Sequence, residues 1–263
     1  MPAVFAHDTF GKIVYKELEG EIYRLVQRYQ KYFRIGLQGP DVLFFYRPFY
    51  SNPVNETGHR IHEEIAEGFF EHAREVVSVH GKDSPHCAYI LGVICHFMLD
   101  SECHGCVEET VRKTGISHNE IETEFERYLM LRAGKVPKKV RLENRIPTDE
   151  EVAAVMSEFY EGVTPDQMRR SLRFMQQVKY LLHVESRGKE RRIAGILKQA
   201  DREGKLEGIL MRLTANEACR PVSSRLFTLF KAAVHPTVTM IYKYYQVLDN
   251  EEPLSVRFGR NFC

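Results

Sequence analysis

The stretch from Ala88 to His104 is an apolar run that is interrupted at four-residue steps by His96, Asp100 and His104. On an α-helix a four-residue step returns to nearly the same face, so these side chains lie within an arc of about 80°. Ionisable groups on an apolar helix are costly to bury, and a bound cation is a common way of offsetting that cost. The stretch therefore predicts a buried helix with a multinuclear metal site on one face.

A second pair of candidate ligands, His118 and Glu122, follows His104 by fourteen residues and is itself one helical turn apart. The alternative to a metal site is a set of core histidines whose nitrogens form ordinary hydrogen bonds. Three ionisable groups on one face of a helix, with a second pair close behind in the sequence, favour the metal site. Imidazole nitrogens and carboxylate oxygens without thiolates suit zinc, although iron or manganese would also accept them.

Earlier in the chain the candidate ligands are individually weaker. Asp41 follows a Gly-Pro pair and would ordinarily be a turn residue. His59 and His62 lie three residues apart on a predicted helix, and either could bind metal. The default alternative is that both are solvent-exposed surface histidines. His7 lies near the N-terminus, and taken alone it carries the least information.

Composition excludes several classes of protein. The 263 residues carry 37 basic and 36 acidic side chains, for a formal charge of +1. A dedicated nucleic-acid binder would have a clear excess of basic residues, which this chain lacks. No signal peptide is visible, and no apolar run of about 18 residues predicts a transmembrane segment. The few cysteines, including the Cys103–Cys106 pair, lack disulfide-scaffold density, so we expect reduced, incidental thiols and a cytoplasmic protein.

Helical periodicity dominates the chain, and no alternating strand pattern of useful length occurs. The sequence predicts one all-α domain over residues 1–263, with the metal-site half at 1–133 and C-terminal helices at 146–263 that complete the core or cover the cleft. The predicted helices span 10–33, 59–79, 84–103, 117–133 and 221–248, with further helix starts at Thr148 and Thr164 and a bend at Pro236. Segments 36–58 and 134–145 are predicted to be a turn-rich stretch and a connector.

In chain order, the candidate ligands resemble the motifs of the bacterial zinc-dependent phospholipase C family, whose relatives include the S1/P1 nucleases. The HxxxD motif at His96, the later His104 and the closing HxxxE at His118 are the specific part of the resemblance, which covers about residues 2–125. It implies the multi-helical fold of the phospholipase C/P1 nuclease superfamily, with two or three zinc ions at the bottom of a cleft.

The resemblance also implies three ligand sets, with Asp100 bridging two metals. The first is Asp41, His62 or His59, His96 and Asp100; the second is His104, His118 and Glu122; the third is His7 and Asp100. In the family the third set also uses the amino group of the N-terminal residue, which would be Pro2 here if Met1 were removed.

The implied activity is zinc-dependent hydrolysis of a phosphoric ester, in which hydroxide generated on the metal attacks a phosphodiester. Asp41 is the candidate to orient or deprotonate the attacking water. The expected partner is a phosphate-ester substrate, with a phospholipid as one candidate. The alternatives are an S1/P1-like nuclease or nucleotidase acting on nucleic acid or nucleotides, and a non-catalytic metal-binding protein of the same fold.

Overall fold

The computed structural model describes residues 3–201, 206, 208–250 and 252–262, which form α-helices and short 3-10 helices with no strand among them. The prediction of an all-α fold is confirmed. The α-helices are α1 (Val4–Glu17), α2 (Gly20–Arg28), α3 (Gln30–Gly36), α4 (Pro53–Glu63), α5 (Ala66–His80), α6 (Pro85–Thr114), α7 (His118–Arg132), α8 (Glu150–Ser157), α9 (Pro165–Leu182), α10 (Arg187–Ala200) and α11 (Arg220–Val247). The 3-10 helices are Gly39–Phe45, Pro137–Lys139, Glu143–Arg145, Glu217–Cys219 and Val256–Gly259.

Helix α6 is the central element, and its 30 residues extend for about 45 Å. Ser84 caps its start, where the Oγ atom accepts a hydrogen bond from the N–H of Cys87 at 3.2 Å. The helix ends at Gly115, whose φ of +71° is left-handed. It extends eleven residues beyond the predicted end at residue 103. It packs against α1, α3 and α11.

By length and composition alone, α6 is apolar enough to cross a membrane, and it is the helix among the described residues that passes this test. However, 78% of its most apolar 18-residue window is buried inside the protein. Such burial is what the core helix of a folded domain shows, because its apolar side chains are already covered by neighbouring helices.

The crossing of α3 over α6 is unusually close because a glycine lies on each helix. A Cβ atom added to Gly92 would lie 2.2 Å from the carbonyl oxygen of Phe33, and one added to Gly36 would lie 2.2 Å from that of Tyr89. The two backbones are therefore in direct contact. The residues that follow Gly36 consequently run along the face of α6 that carries His96.

The predicted helix over 10–33 is wrong, because the segment is divided among α1, α2 and α3. Leu18 has extended backbone angles, and Gly20 has a φ of +62°, which a continuous helix cannot contain. The backbone N–H of Glu19 donates to Tyr242 Oη of α11 at 2.8 Å, which ties the break to the C-terminal half. Periodicity missed the break because each short helix turns an apolar face to the core.

The predicted helix over 59–79 is also divided, into α4 and α5, at the extended residues Glu64 and Ile65. Helix α4 starts earlier than predicted, since Pro53 occupies its first position and Asn52 caps it through a reciprocal bond with Asn55. The segment predicted as turn-rich therefore contains half of α4 and the 3-10 helix Gly39–Phe45.

The later helix boundaries lie within two residues of the predictions, although α8 has Asp149 rather than Thr148 at its N-cap position. Ser117 caps α7, and Thr164 forms a capping box with Gln167 at the start of α9. Helix α11 lies within one residue of its predicted span and contains Pro236, while the bend there stays a prediction. It packs against α1, α6 and α7, so C-terminal residues cover elements that carry candidate ligands.

Substituting Gly92→Ala should destabilise the protein, because the added Cβ meets backbone rather than a mobile side chain. We expect a loss of about 1–3 kcal/mol, measured as a lower Tm and a lower denaturant midpoint. Gly105→Ala is the matched control in the same helix, since its added Cβ has nothing within 4 Å. That control should be neutral or slightly stabilising, and equal effects of the two changes would contradict the close crossing.

Candidate metal centre

The structure brings eight of the nine sequence-predicted metal ligands into three adjoining groups. Within each group, one ligand atom from every residue lies within 4.8 Å of the others. The groups are His7, His96 and Asp100; Asp41, His62 and His96; and His104, His118 and Glu122. They come from α1, the 3-10 helix Gly39–Phe45, α4, α6 and α7, so five elements meet at one place.

Asp100 lies at the centre of these groups. One carboxylate oxygen is 3.2 Å from Nε2 of His7, while the other is 3.2 Å from Nε2 of His96 and 3.8 Å from Nε2 of His104. Burial alone would raise the pKa of this carboxyl, but His96, His7 and His104 hold it well below its usual range. Asp100 is therefore an anion placed between ligands of different groups, as a bridging ligand would be.

Three of the histidine rings, those of His62, His96 and His118, are oriented as metal ligands are. Nδ1 of His62 and Nδ1 of His96 lie 2.7 and 3.2 Å from backbone carbonyl oxygens, and Nδ1 of His118 lies 2.8 Å from Glu108 Oε1. Each Nδ1 can thus donate outward, which leaves Nε2 facing the carboxylates. Nε2 of His96 is buried and makes no hydrogen bond within the described part of the chain. A divalent ion would satisfy that atom, so the residues present fit zinc.

The segment after α3 delivers Asp41 to this face of α6. Gly39 has a φ of +50°, and a Cβ atom there would lie 2.4 Å from Cδ2 of His96, so only glycine fits between backbone and ring. Asp41 Oδ1 then lies 3.0 Å from Nε2 of His62. Burial would raise the pKa of Asp41, but the hydrogen bond from His62 and the proximity of His96 lower it far below its usual value.

Helix α1, which carries His7, is held in place by groups that the sequence analysis missed. Glu126 of α7 accepts a hydrogen bond from the N–H of Phe5 in the uncapped first turn of α1. The buried Asp8 forms ion pairs with Arg34, at 3.4 Å, and with Arg145. No local motif signals these contacts, because the partners come from distant parts of the chain.

His59 is the predicted candidate that lies outside the three groups. Its side chain is exposed, and its ring packs 4.7 Å from that of Phe44. Of the two histidines left open by the sequence, His62 is the one that the structure places beside Asp41. The N-terminal amine expected from the resemblance falls on Pro2, which lies outside the described residues.

Cys103 and Cys106 are buried free thiols that belong to none of the groups. Burial raises the pKa of both, so neither is a ready thiolate ligand. This agrees with their interpretation as incidental thiols.

A family model described as zinc-dependent phospholipase C matches residues 6–173. The chain belongs to the zinc-dependent phospholipase C family. Neither the comparison with curated proteins nor that with solved structures gave a match. Membership supports a hydrolase and identifies zinc as the expected ion, and every residue of the three groups lies within the matched segment.

In this phospholipase C family member the ligand groups differ in their access to solvent. The side chains of His104, Glu122 and His118 are 14%, 17% and 31% exposed, whereas those of the other two groups are no more than 10% exposed. Phe262 closes the opposite side, with its ring 5.7 Å from that of His62 and 6.0 Å from that of His96. The candidate centre therefore opens to solvent on the α7 side.

Replacing His62 by alanine should lower the zinc content sharply, because the ring lies within the group that contains Asp41. His59→Ala is the matched control from the same helix and should retain the wild-type zinc content. Elemental analysis of both variants, reconstituted side by side and checked for native helix content, gives the comparison. The opposite ranking would transfer the ligand role to His59.

The metal-free protein should lose stability as pH rises from 7 to 9. Although burial disfavours its charged form, interactions with Glu122 and Glu108 raise the pKa of His118 from 6.5 to about 9. The pKa values of His7 and His62 are also raised, against burial, by Asp100 and Asp41 respectively. The free energy of unfolding that these raised pKa values contribute is fully present below pH 6.5. It is lost as pH rises through the folded-state pKa values.

Calorimetry of the metal-free protein should therefore show Tm falling over this pH range. Zinc binds neutral imidazole, so the zinc-loaded protein should show a smaller fall. The variant His118→Gln should have a flatter profile without metal. A metal-free Tm that stays constant or rises between pH 7 and 9 would contradict the histidine–carboxylate coupling.

Proposed function

We propose that the protein is a zinc-dependent phosphodiester hydrolase that acts on phospholipids. The observation that carries this proposal is the set of buried histidines and carboxylates around Asp100, in a chain whose family is zinc-dependent phospholipase C. With Asp41, Asp100 and Glu122 as the carboxylates, two or three zinc ions would leave the centre with net positive charge. Such a centre favours an anionic phosphate ester.

A cavity of about 370 Å³ adjoins the open side of the centre and suits an amphiphilic substrate. Glu122 lines it together with the cations Arg127 and Lys179, and much of the remaining wall is apolar, including Met130 and Ile209. Burial lowers the pKa of Lys179, while Glu126 and Glu122 favour its charged form, in which it can attract a phosphate group. The apolar wall can contact hydrocarbon. Lys179 and Ile209 lie beyond the family match, so the C-terminal half would contribute to substrate choice.

When bound, clustered zinc ions lower the pKa of water and stabilise negative charge on a phosphoryl group. Asp41 is a carboxylate with a depressed pKa, so it accepts a hydrogen bond from the attacking water and orients it rather than holding its proton. The carbonyl oxygen of Gly58 orients His62 through Nδ1, so that Nε2, 3.0 Å from Asp41 Oδ1, would hold zinc together with that carboxylate. Asp100 keeps the ligand histidines in one arrangement.

A nuclease is the second candidate, because one surface hollow suits unpaired bases. Phe49 and Tyr50 are 72% and 75% exposed, and they border the hollow together with Phe174, Arg47 and Arg170. Exposed aromatic rings can stack on bases, while arginines attract the phosphate backbone. Of the aromatic side chains that follow Asp41, Phe45 and Tyr46 are instead buried in the core.

Activity of the zinc-loaded protein on three substrates separates these functions. Short-chain phosphatidylcholine should be hydrolysed to diacylglycerol and phosphocholine faster than a single-stranded oligonucleotide or a nucleoside monophosphate. Faster cleavage of the oligonucleotide would favour the nuclease. No turnover of any substrate by fully zinc-loaded protein would favour the non-catalytic alternative.

Lys179→Met should lower kcat/KM for the phospholipid by about tenfold, as expected when one charge-assisted hydrogen bond is lost. The control Lys243→Met changes an exposed lysine of α11 and should leave kcat/KM unchanged. Zinc content, measured on the same samples, should be equal in both variants. An unchanged kcat/KM for Lys179→Met would remove this cavity from the proposed substrate site.

A further inference from the structure

A second, separate group of possible metal ligands lies at the N-terminal end of α6. His80 is the last residue of α5, His86 is the second residue of α6, and Glu158 directly follows α8. Nε2 of His80 is 2.6 Å from one carboxylate oxygen of Glu158, and Nε2 of His86 is 3.1 Å from the other. Three elements that are distant in sequence therefore direct two imidazoles and one carboxylate to the same place.

The backbone around this group is held by hydrogen bonds. Ser84 Oγ donates to the carbonyl oxygen of Gly81 at 2.6 Å, which closes the short turn between the two histidines. Nε2 of His72 lies 3.1 Å from the carbonyl oxygen of Glu158, a contact that fixes the backbone of the carboxylate residue. These hydrogen bonds fix the backbone of the residues that carry the three side chains, and so they also fix the arrangement of the group.

The two histidine rings are stacked in parallel, with centroids 3.6 Å apart and an interplanar angle of 6°. The ring of His86 is buried, and its Nδ1 makes no hydrogen bond within the described residues. Burial lowers the pKa of His86, which favours the neutral form of the ring. His80 and Glu158 are exposed, which leaves a free position for solvent.

We propose that His80, His86 and Glu158 form a second zinc-binding site, independent of the Asp100-centred groups. Two imidazoles and one carboxylate are an established ligand set for zinc, with water completing the tetrahedron. His86 precedes His96 by ten residues on one helix, so the two sites are about 15 Å apart along its axis. A metal here would join α5, α6 and the end of α8, and its binding would stabilise the folded chain.

The test measures zinc bound per chain by equilibrium dialysis and elemental analysis over a range of free zinc concentrations. Wild type is compared with His80→Ala and Glu158→Gln, both at exposed positions, and with the control His235→Ala, an exposed histidine of α11. Circular dichroism establishes that all four proteins are folded. Wild type and His235→Ala should bind one more zinc per chain than the other two variants.

Tm gives an independent readout. Once the Asp100-centred groups are saturated, further zinc should raise the Tm of wild type and His235→Ala but not that of His80→Ala or Glu158→Gln. Equal zinc content and equal Tm response in all four proteins would overturn the proposal, leaving an ion pair between Glu158 and the histidines. Loss of the extra zinc in His80→Ala but not in Glu158→Gln would overturn the three-ligand site.

Discussion

The ionised carboxylate of Asp100 is the group on which the arrangement of the candidate centre depends. It is buried on a helix whose neighbouring residues are apolar, and a buried charge without partners is strongly unfavourable. Its two oxygens lie near histidines from α1 and from both adjacent turns of α6. Asp100 raises the pKa of His7 against the effect of burial, and positive charge on that ring, or on bound metal, makes the buried carboxylate tolerable.

The packing around α6 follows from the same requirement. Ligands from four other elements must approach one face of this helix, and the glycine pair at the α3 crossing allows the segment that carries Asp41 to follow that face. Helix α1 is positioned by Glu126 of α7 and by the two arginines, Arg34 and Arg145, that pair with its Asp8. His7 consequently lies against His96, with ring centroids 4.4 Å apart. Residues that never touch a metal therefore determine its geometry.

Much of this site could be predicted because helical geometry is local. The spacing of His96, Asp100 and His104 places them on one stripe without any tertiary information. Other features depend on contacts that no local pattern encodes, such as the break after Leu18, which is tied to Tyr242, and the ring of Phe262 behind the ligands. The choice of His62 over His59 likewise required the structure, in which His62 is buried and His59 is exposed.

The site near Glu158 was missed for the same reason. His80 and His86 are close in sequence, but the carboxylate between them follows more than seventy residues later and carries no motif. Helix α10 was also not predicted, and it has no buried residue that would impose an apolar period. Helical spacing thus predicted the ligands of α6 and α7, the family resemblance supplied those on the other three elements, and neither could predict a group that distant segments form without a motif.

We expect metal ions to occupy the ligand groups around Asp100. Anomalous diffraction from crystals of the zinc-loaded protein, recorded on both sides of the zinc absorption edge, tests this expectation most directly. We predict at least two zinc peaks, one beside Asp41, His62 and His96 and one beside His104, His118 and Glu122, with Asp100 bound to the first. Peaks found only elsewhere, or none at these residues in fully loaded crystals, would contradict it.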